Sequence, residues 1–276
     1  GATLAYATPG TAIAGTYYIV GTSAAGCSDT AAVVVTVNPK PTVITVNPAP
    51  VCSPSTVDIT LPAVTAGSTA GLTYTYFTDS LATLPYLTPV TADSGTYYIV
   101  GTTAAGCSDT TAVTVIVNPI PALSMSGTNL SCFNVCSGTA MAAVSGGSAL
   151  YTYVWSSGAT DTTAAITDTI TGLCAGSYTL TVTDSNGCAD TDSIIITEPA
   201  QINANVTTTA STCNSLCNGS AVASPSAGTP PYTYAWSTGS VDTMVTGLCS
   251  GTYTVIVTDS LGCSSSNPFI ILAAPP

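Results

Sequence analysis

The chain has 276 residues, of which only 5% are charged, yet its formal net charge is −12. It contains one lysine, Lys40, and no arginine or histidine. Such a surface cannot neutralise phosphates, which argues against nucleic-acid binding and against attachment to anionic lipid. The lack of histidine also removes the commonest general base and metal ligand. No run of about 20 apolar residues occurs, so the sequence predicts no membrane span.

The start of the chain is closely related to a later part of it. Residues 15–41 recur as residues 95–121, and 22 of the 27 aligned positions are identical. Apolar residues alternate with threonine and serine, a period of two that is typical of half-buried strands. By this match Gly1 falls in the middle of a repeat. We therefore expect the chain to be a window of a longer tandem array.

The repeats and the prolines between them divide the chain into four segments. Residues 1–40 are the C-terminal half of a first-type domain, and residues 41–119 are a complete one. Residues 120–199 and 200–276 are two copies of a second type. The alignment of these two copies shifts after the tryptophan, because one loop there is six residues shorter in the last copy. Joints with two prolines, such as residues 38–41, are short and stiff.

The complete first-type domain shows a regular succession of strands. We predict strands near 42–47, 55–61, 72–77, 86–91, 95–102 and 111–118, with glycine, proline and serine between them. This spacing predicts a Greek-key sandwich.

Several aromatic residues resemble those of immunoglobulin-like domains. Asp93 to Tyr97 resembles a tyrosine corner, with Tyr178 and Tyr253 in the same position of the second type. Trp155 and Trp236 look like the core tryptophan of the third strand. The predicted fold class is all-β, with tandem Ig-like Greek-key β-sandwich domains in a beads-on-a-string rod.

Eleven cysteines without histidine predict disulfides in an oxidising compartment rather than a zinc site. Cys52 and Cys107 are the only cysteines of residues 41–119, so we pair them, and Cys27 is then unpaired in this window. The second-type domains follow by analogy, and the alternative in which adjacent cysteines exchange partners stays open. The predicted pairs of the second type are Cys132–Cys188, Cys136–Cys174, Cys213–Cys263 and Cys217–Cys249.

Residues 120–276 resemble the SprB-type repeat, and Pro230–Gly239 with Leu248–Cys263 carry the resemblance. Leu150 replaces the first proline of this motif in the earlier copy, and the extra cysteine pairs depart from the commonest form. The first-type domain looks like the Ig-like modules that accompany such repeats in giant surface proteins of Bacteroidetes. Members of this group are similar to gliding-motility adhesins, which are exported by the type 9 secretion pathway and displayed as cell-surface filaments.

The resemblance implies a structural or adhesive segment of a giant secreted cell-surface filament, extracellular and without catalysis. Its partners would be neighbouring domains of the same chain, other filament chains and a surface polysaccharide or substratum. The alternative is an array of carbohydrate-binding or spacer modules in a large secreted enzyme. The sequence offers no Ser-His-Asp set, no phosphate loop and no recurring carboxylate pair, so we predict that the chain itself is not an enzyme. The 1–40 half could also accept a strand from another chain.

Triplets of Asp, then Ser or Thr, then an apolar residue or Thr, of the kind that Bacteroidetes O-glycosylate, start at eight of the twelve aspartates. The alternative is ordinary turn chemistry in a chain rich in threonine and serine. Asp184, Asp190 and Asp192 form a cluster of the type that binds calcium, but the fourth segment keeps only Asp259, so we expect no calcium and no other cofactor. The candidate O-glycosylation sites are Thr30, Ser80, Thr110, Thr162, Thr169, Ser193, Thr243 and Ser260.

Overall fold

The computed structural model describes residues 12–212 and 216–273. Within them the regular structure is β-strand, apart from one short 3-10 helix at Pro89–Thr91. The chain divides into two compact units, Gly1–Asn118 and Pro119–Pro276. The predicted joints near residues 40 and 199 lie inside these units and stay predictions. None of the described residues lies in a helix of the length and apolarity that a bilayer crossing needs.

The first segment contributes one described hairpin, made of β1 (Gly15–Thr22) and β2 (Ser28–Val35). Nearly the same sequence recurs in the second segment as β5 (Gly95–Thr102) and β6 (Ser108–Val115). Ile99 is fully buried there, whereas its equivalent Ile19 is 62% exposed. Burial of this face therefore depends on the residues that pack over the hairpin in the complete domain, not on the hairpin itself.

The second segment keeps two small sheets around its core. The core cluster includes Val43, Val57 and Ile59 from its first half and Ile99 and Val113 from the hairpin. One sheet has the order β4-β5-β6 and the other pairs β3 with β7 in parallel. The remaining strands of this segment are β3 (Val51–Cys52), β4 (Thr73–Phe77) and β7 (Val117–Asn118).

The predictions for 72–77 and 95–102 match strands, but those for 42–47, 55–61 and 86–91 were wrong. Residues 42–47 are extended but bond to side chains and loops: Ile44 N–H donates to Ser68 Oγ and Thr42 N–H to Thr69 Oγ1. The 55–61 stretch has only the bridge Val57–Ala92. Prolines throughout this half cannot donate to a ladder, so apolar alternation here gives burial without regular strands.

The last strand was predicted over residues 111–118, and its predicted start was three residues too far along the chain. The strand begins at Ser108, directly after the hairpin tip, and a separate short strand, β7, follows it.

The third segment is a sandwich of two antiparallel sheets with the orders β11-β10-β13-β14 and β12-β9-β8. Small and branched side chains from both sheets fill its core around Trp155 and Tyr153. Its strands are β8 (Ala122–Thr128), β9 (Gly138–Ser145), β10 (Tyr151–Trp155), β11 (Thr160–Thr163), β12 (Thr167–Leu173), β13 (Gly176–Thr183) and β14 (Ala189–Ile196).

The fourth segment repeats this plan with sheets β17-β19-β20 and β15-β16-β18. It has no described counterpart of β11, because the loop after the tryptophan is six residues shorter here. The length difference read from the sequence is therefore an extra edge strand in the third segment. Its strands are β15 (Val206–Thr209), β16 (Gly219–Ala223), β17 (Thr233–Trp236), β18 (Met244–Leu248), β19 (Gly251–Thr258) and β20 (Ser264–Ile271).

The aromatic residues occupy the core and corner positions that the sequence predicted. The hydroxyls of Tyr97, Tyr178 and Tyr253 each donate to the carbonyl four residues earlier, at 3.1, 3.0 and 3.2 Å. Trp155 and Trp236 are 2% and 4% exposed.

Trp155 also ties the two sheets of its domain together. Its Nε1–H donates to Asp168 Oδ2 at 2.7 Å, and Asp168 lies on β12 in the opposite sheet. In the fourth segment Trp236 Nε1–H donates instead to the Asp242 carbonyl, at 2.7 Å.

Asp168→Ala should destabilise the third segment by about 1–3 kcal/mol, because a buried indole N–H loses its acceptor. The readout is urea unfolding of the full chain followed by tryptophan fluorescence. Asp192→Ala is the matched control: Asp192 is exposed and accepts from the Ser193 N–H, so its loss should cost under about 0.5 kcal/mol. Equal effects of the two changes would contradict this role of Asp168.

Candidate functional site

The tip of the last hairpin has the same construction in all four segments. In the second segment Thr103 N–H donates to the Cys107 carbonyl at 2.9 Å, and Gly106 N–H donates back to the Thr103 carbonyl at 2.9 Å. The glycine before each tip cysteine has a positive φ, between 80° and 84°, which glycine adopts at no steric cost. Each tip therefore presents its cysteine in the same way. The tip cysteines are Cys27, Cys107, Cys188 and Cys263.

A side chain four residues before each tip cysteine closes the turn, and this feature was missed from the sequence. Asp259 Oδ1 accepts from the Cys263 and Leu261 N–H groups at 2.9 and 3.0 Å, and Oδ2 accepts from Thr229 N–H at 3.0 Å. Backbone donation, from Thr229 first, holds the pKa of Asp259 below its ordinary value. The repeated spacing to each cysteine is the signal that could have found it.

In the third segment Asp184 takes the same place in the turn. Its Oδ1 accepts from the Asn186 and Cys188 N–H groups, both at 2.9 Å, and Oδ2 accepts from Ser148 N–H at 2.9 Å. Both Asp184 and Asp259 are buried.

The tip of the second segment lies at the joint with the first. Lys40 Nζ is 2.6 Å from Asp109 Oδ1, and Asp109 Oδ2 accepts from Val43 N–H at 3.0 Å. The hydrogen bond from Lys40, followed by that from Val43, lowers the pKa of Asp109. Cys107 Sγ lies 3.9 Å from the Asn38 carbonyl oxygen. The only lysine of the chain thus forms an ion pair between the proline-rich joint and the hairpin.

The joint between the third and fourth segments carries a covalent bond. Cys132, in the loop after β8, is disulfide-bonded to Cys263 at the tip of the fourth segment, with a Cα–Cα distance of 5.4 Å. Cys263 Sγ is also 3.2 Å from the Ser131 carbonyl oxygen.

The loop that carries Cys132 is held to the last residues of its own segment. Asn134 N–H donates to Glu198 Oε2 at 2.8 Å, and Leu130 N–H donates to the Thr197 carbonyl at 2.9 Å. The loop after β8 therefore lies at the end of the third segment that faces the fourth.

This bond corrects two predicted pairs, Cys132–Cys188 and Cys213–Cys263. The tip with Cys188 lies at the opposite end of the third segment, where Asp184 bonds to Ser148. The seven residues of β8 separate the two ends by about 23 Å, far beyond the roughly 7 Å Cα separation that a disulfide tolerates. Cys263 is already bonded to Cys132, and Cys213 itself lies outside the described residues.

The predicted pair Cys52–Cys107 was wrong for the same reason. Cys52 lies on β3, which pairs with Val117–Asn118 just beyond the end of β6, while Cys107 precedes the start of β6. The eight residues of β6 separate these positions by about 26 Å. Cys107 is a free thiol, whereas Cys52 and Cys188 are both disulfide-bonded.

The other two pairs agree with the sequence. Cys136 is bonded to Cys174 and Cys217 to Cys249, each within one segment. Cys27 is an exposed free thiol.

The acids considered for calcium are occupied by backbone donors. Asp184 caps the tip, Asp190 Oδ2 accepts from Leu123 N–H at 3.0 Å, and Asp192 Oδ1 accepts from Ser193 N–H at 2.7 Å. Among the described residues no three His, Cys, Asp or Glu side chains are grouped so that they could hold a metal ion.

The eight candidate O-glycosylation residues are all exposed. Five of them lie on strands: Thr30 on β2, Thr110 on β6, Thr162 on β11, Thr169 on β12 and Ser193 on β14. Two of the eight hydroxyls are hydrogen-bonded: Ser260 Oγ donates to the Thr229 carbonyl at 3.0 Å, and Thr162 Oγ1 lies 3.2 Å from Thr152 Oγ1.

A cleft of about 280 Å³ lies at the joint beside the Cys132–Cys263 bond. Phe133 and Val135 line one side and Pro199 and Ile202 the other, and Asp259 is the charged residue of its lining. Because Asp259 is held by backbone donors, the cleft offers no nucleophile paired with a base among the described residues.

The sheets, tyrosine corners and core tryptophans define a chain of tandem immunoglobulin-like domains. Two stretches, residues 126–160 and 205–241, match the family described as the SprB repeat. One matched stretch lies in each of the last two segments. No curated protein matches the chain at a significant level.

Several solved structures of multidomain proteins are similar to this chain at low sequence identity. The eight N-terminal Ig domains of Down syndrome cell adhesion molecule share 13% identity over 95% of this chain, with a TM-score of 0.49; the chain spans 40% of that protein's structure. Titin domains I67–I69, in an E-to-A mutated variant, share 11% identity, with 96% and 100% of the two chains covered and a TM-score of 0.41. A bacterial ice-binding adhesin of 1.5 MDa shares 16%, with 72% and 84% covered and a TM-score of 0.35.

Cutting the chain at the joint should leave its two parts covalently joined. With a protease recognition sequence inserted between Ala200 and Gln201, cleaved protein should migrate as one species without reductant and as two species with it. The readout is non-reducing electrophoresis. Cys132→Ser with Cys263→Ser should separate the parts without reductant.

Cys136→Ser with Cys174→Ser is the matched control for that experiment, because it removes a bond inside one segment and should leave the parts joined. Separation of the unaltered protein without reductant would contradict the bond across the joint.

Proposed function

We propose that this chain is a structural and adhesive segment of a secreted cell-surface filament protein, and that it performs no catalysis itself. The observation that carries the proposal is the Cys132–Cys263 bond. A disulfide between two successive domains supplies no catalytic acid, base or nucleophile. It makes the connection between the domains independent of the short backbone joint.

Bonds within and between segments have different consequences for such a filament. Bonds within a segment, such as Cys136–Cys174, constrain the loops at one end of a sandwich. A bond between segments restricts the freedom of the joint itself, because it adds a second covalent connection to a short linker whose only proline is Pro199. A chain with both kinds of bond resists unfolding inside a domain and separation between domains, which suits a protein that works by reach and continuity.

The SprB repeats and the cysteine chemistry support the same proposal. Structural disulfides persist in oxidising compartments, so a chain with several of them suits the cell exterior. Few charges, many threonines and buried core aromatics give stable sandwiches without a metal-binding side-chain cluster in the described residues. Export by the type 9 pathway and a part in gliding motility belong to this proposal as consequences of the family resemblance.

The alternative of carbohydrate-binding modules draws less support from the described aromatics. A sugar platform needs aromatic faces open to solvent. Here Tyr97, Tyr151 and Tyr153 are buried, as are both tryptophans, and the hydroxyl of Tyr151 donates to the Gly146 carbonyl at 2.7 Å.

Electron microscopy of cells or culture medium tests the filament proposal. The parent protein should be seen as filaments with a bead spacing of one domain, decorated by antibodies raised against this chain. Prior incubation of the antibodies with purified chain should abolish the label, which controls for unspecific decoration. Compact soluble particles carrying the epitope would defeat the proposal.

We further propose O-glycans on the exposed Asp-(Ser/Thr) triplets. Sugars on strand residues such as Thr110 and Ser193 would cover an otherwise apolar surface and protect sheet edges from pairing with other chains. Mass spectrometry of the protein from its native source should show added hexose-type masses on several of the eight residues. Thr114, also exposed on β6 but preceded by Val113, serves as an internal control and should be unmodified. Unmodified peptides at all eight sites would overturn the proposal.

A further inference from the structure

The bond across the joint uses two positions that recur along the chain. Cys263 is the tip cysteine of its segment, and Cys132 lies in the loop after the first strand of the segment before. Cys52 occupies the corresponding early position in the second segment. Both partners of the bond are therefore repeated features of the array.

The tip of the second segment is built as the bonded tip of the fourth is. Gly106 and Gly262 have φ values of 83° and 84°, and in both tips the residue four before the cysteine bonds to the cysteine's N–H and carbonyl. The backbone at Cys107 therefore has the same geometry as the backbone at Cys263, whose sulfur forms a disulfide.

Both sulfurs lie near a backbone carbonyl of the preceding segment. Cys263 Sγ lies 3.2 Å from the carbonyl of Ser131, in the segment that precedes it. Cys107 Sγ lies 3.9 Å from the carbonyl of Asn38, also in the preceding segment. The Lys40–Asp109 ion pair holds the second segment's hairpin against that joint. The Cys107 thiol is half-buried and free, so it is open to a partner from this direction.

We propose that Cys107 forms a further cross-joint disulfide, with the cysteine of the preceding domain that corresponds to Cys52. The two thiols form one S–S bond and lose two protons and two electrons. The electrons pass by thiol–disulfide exchange to an oxidised disulfide carrier, which is reduced to a dithiol or to two thiols. The proposal concerns covalent continuity along the array and stands whether or not the protein forms filaments.

An extension of the chain supplies the proposed partner for a direct test. Since Gly1 corresponds to Leu81 in the repeat, a copy of residues 41–80 placed before Gly1 completes the first domain and adds one copy of Cys52. The protein is oxidised with glutathione disulfide, alkylated and mapped by mass spectrometry. We expect a peptide that links the added cysteine to Cys107, with Cys27 alkylated. Changing the added cysteine to serine should leave both Cys27 and Cys107 alkylated.

Two results of this test would overturn the proposal. One is a link between the added cysteine and Cys27, which is a bond within one domain. The other is an alkylated Cys107 in the extended protein. Folding of the added part is checked by hydrogen exchange at Ile19, which should become protected as its equivalent Ile99 is buried.

The chain without the extension gives a second measurement that does not depend on the added part folding. The linkage map should contain Cys132 joined to Cys263, and Cys107 should alkylate in full. A Cys132–Cys188 or Cys52–Cys107 peptide would show bonds within single domains and would overturn the proposal. Neither measurement depends on filaments, so failure here is distinguishable from failure of the proposed function.

Discussion

The last two long strands of each domain form an antiparallel hairpin. This hairpin is the constraint that decides which cysteines can form disulfides with each other. Its register runs without a slip over eight residues in all four segments, for example from Gly95–Val115 to Thr102–Ser108. An unbroken ladder of this length holds the tip about 26 Å from the opposite end of the domain. A tip cysteine therefore cannot reach a cysteine at the far end of its own sandwich, and Cys263 bonds to the preceding domain instead.

The scarcity of charge shapes how polar groups are satisfied inside the domains. Asp168 accepts from a tryptophan, and Asp184 and Asp259 accept from backbone amides at the tips. Asp109 divides its oxygens between Lys40 and a backbone amide. Several aspartates thus accept hydrogen bonds that hold the fold together. Hydroxyls and carbonyls satisfy other buried groups, as in the tyrosine corners, because neutral hydrogen-bonded groups are buried at lower cost than unpaired charges.

Local features of the sequence were enough to predict the fold class. The alternation of apolar and polar residues, the Gly-x-Tyr corners and the Trp runs identified the all-β class, the core aromatics and the last hairpin, since these depend on neighbours a few residues apart. The alternating pattern of residues 42–47 wrongly predicted a strand. Val43 is buried, but backbone N–H groups donate to side-chain hydroxyls instead of to a neighbouring strand.

The disulfides, too, could be predicted only in part from the sequence. The number and spacing of the cysteines were enough to predict that they form bonds. Cys136–Cys174 and Cys217–Cys249 were predicted correctly, but only as the pairs left over after an analogy whose own pairs were wrong. The bond between Cys132 and Cys263 became visible only in the folded molecule. Which cysteines meet depends on which end of a sandwich each loop occupies, and that is set by strand length and direction rather than by distance along the chain.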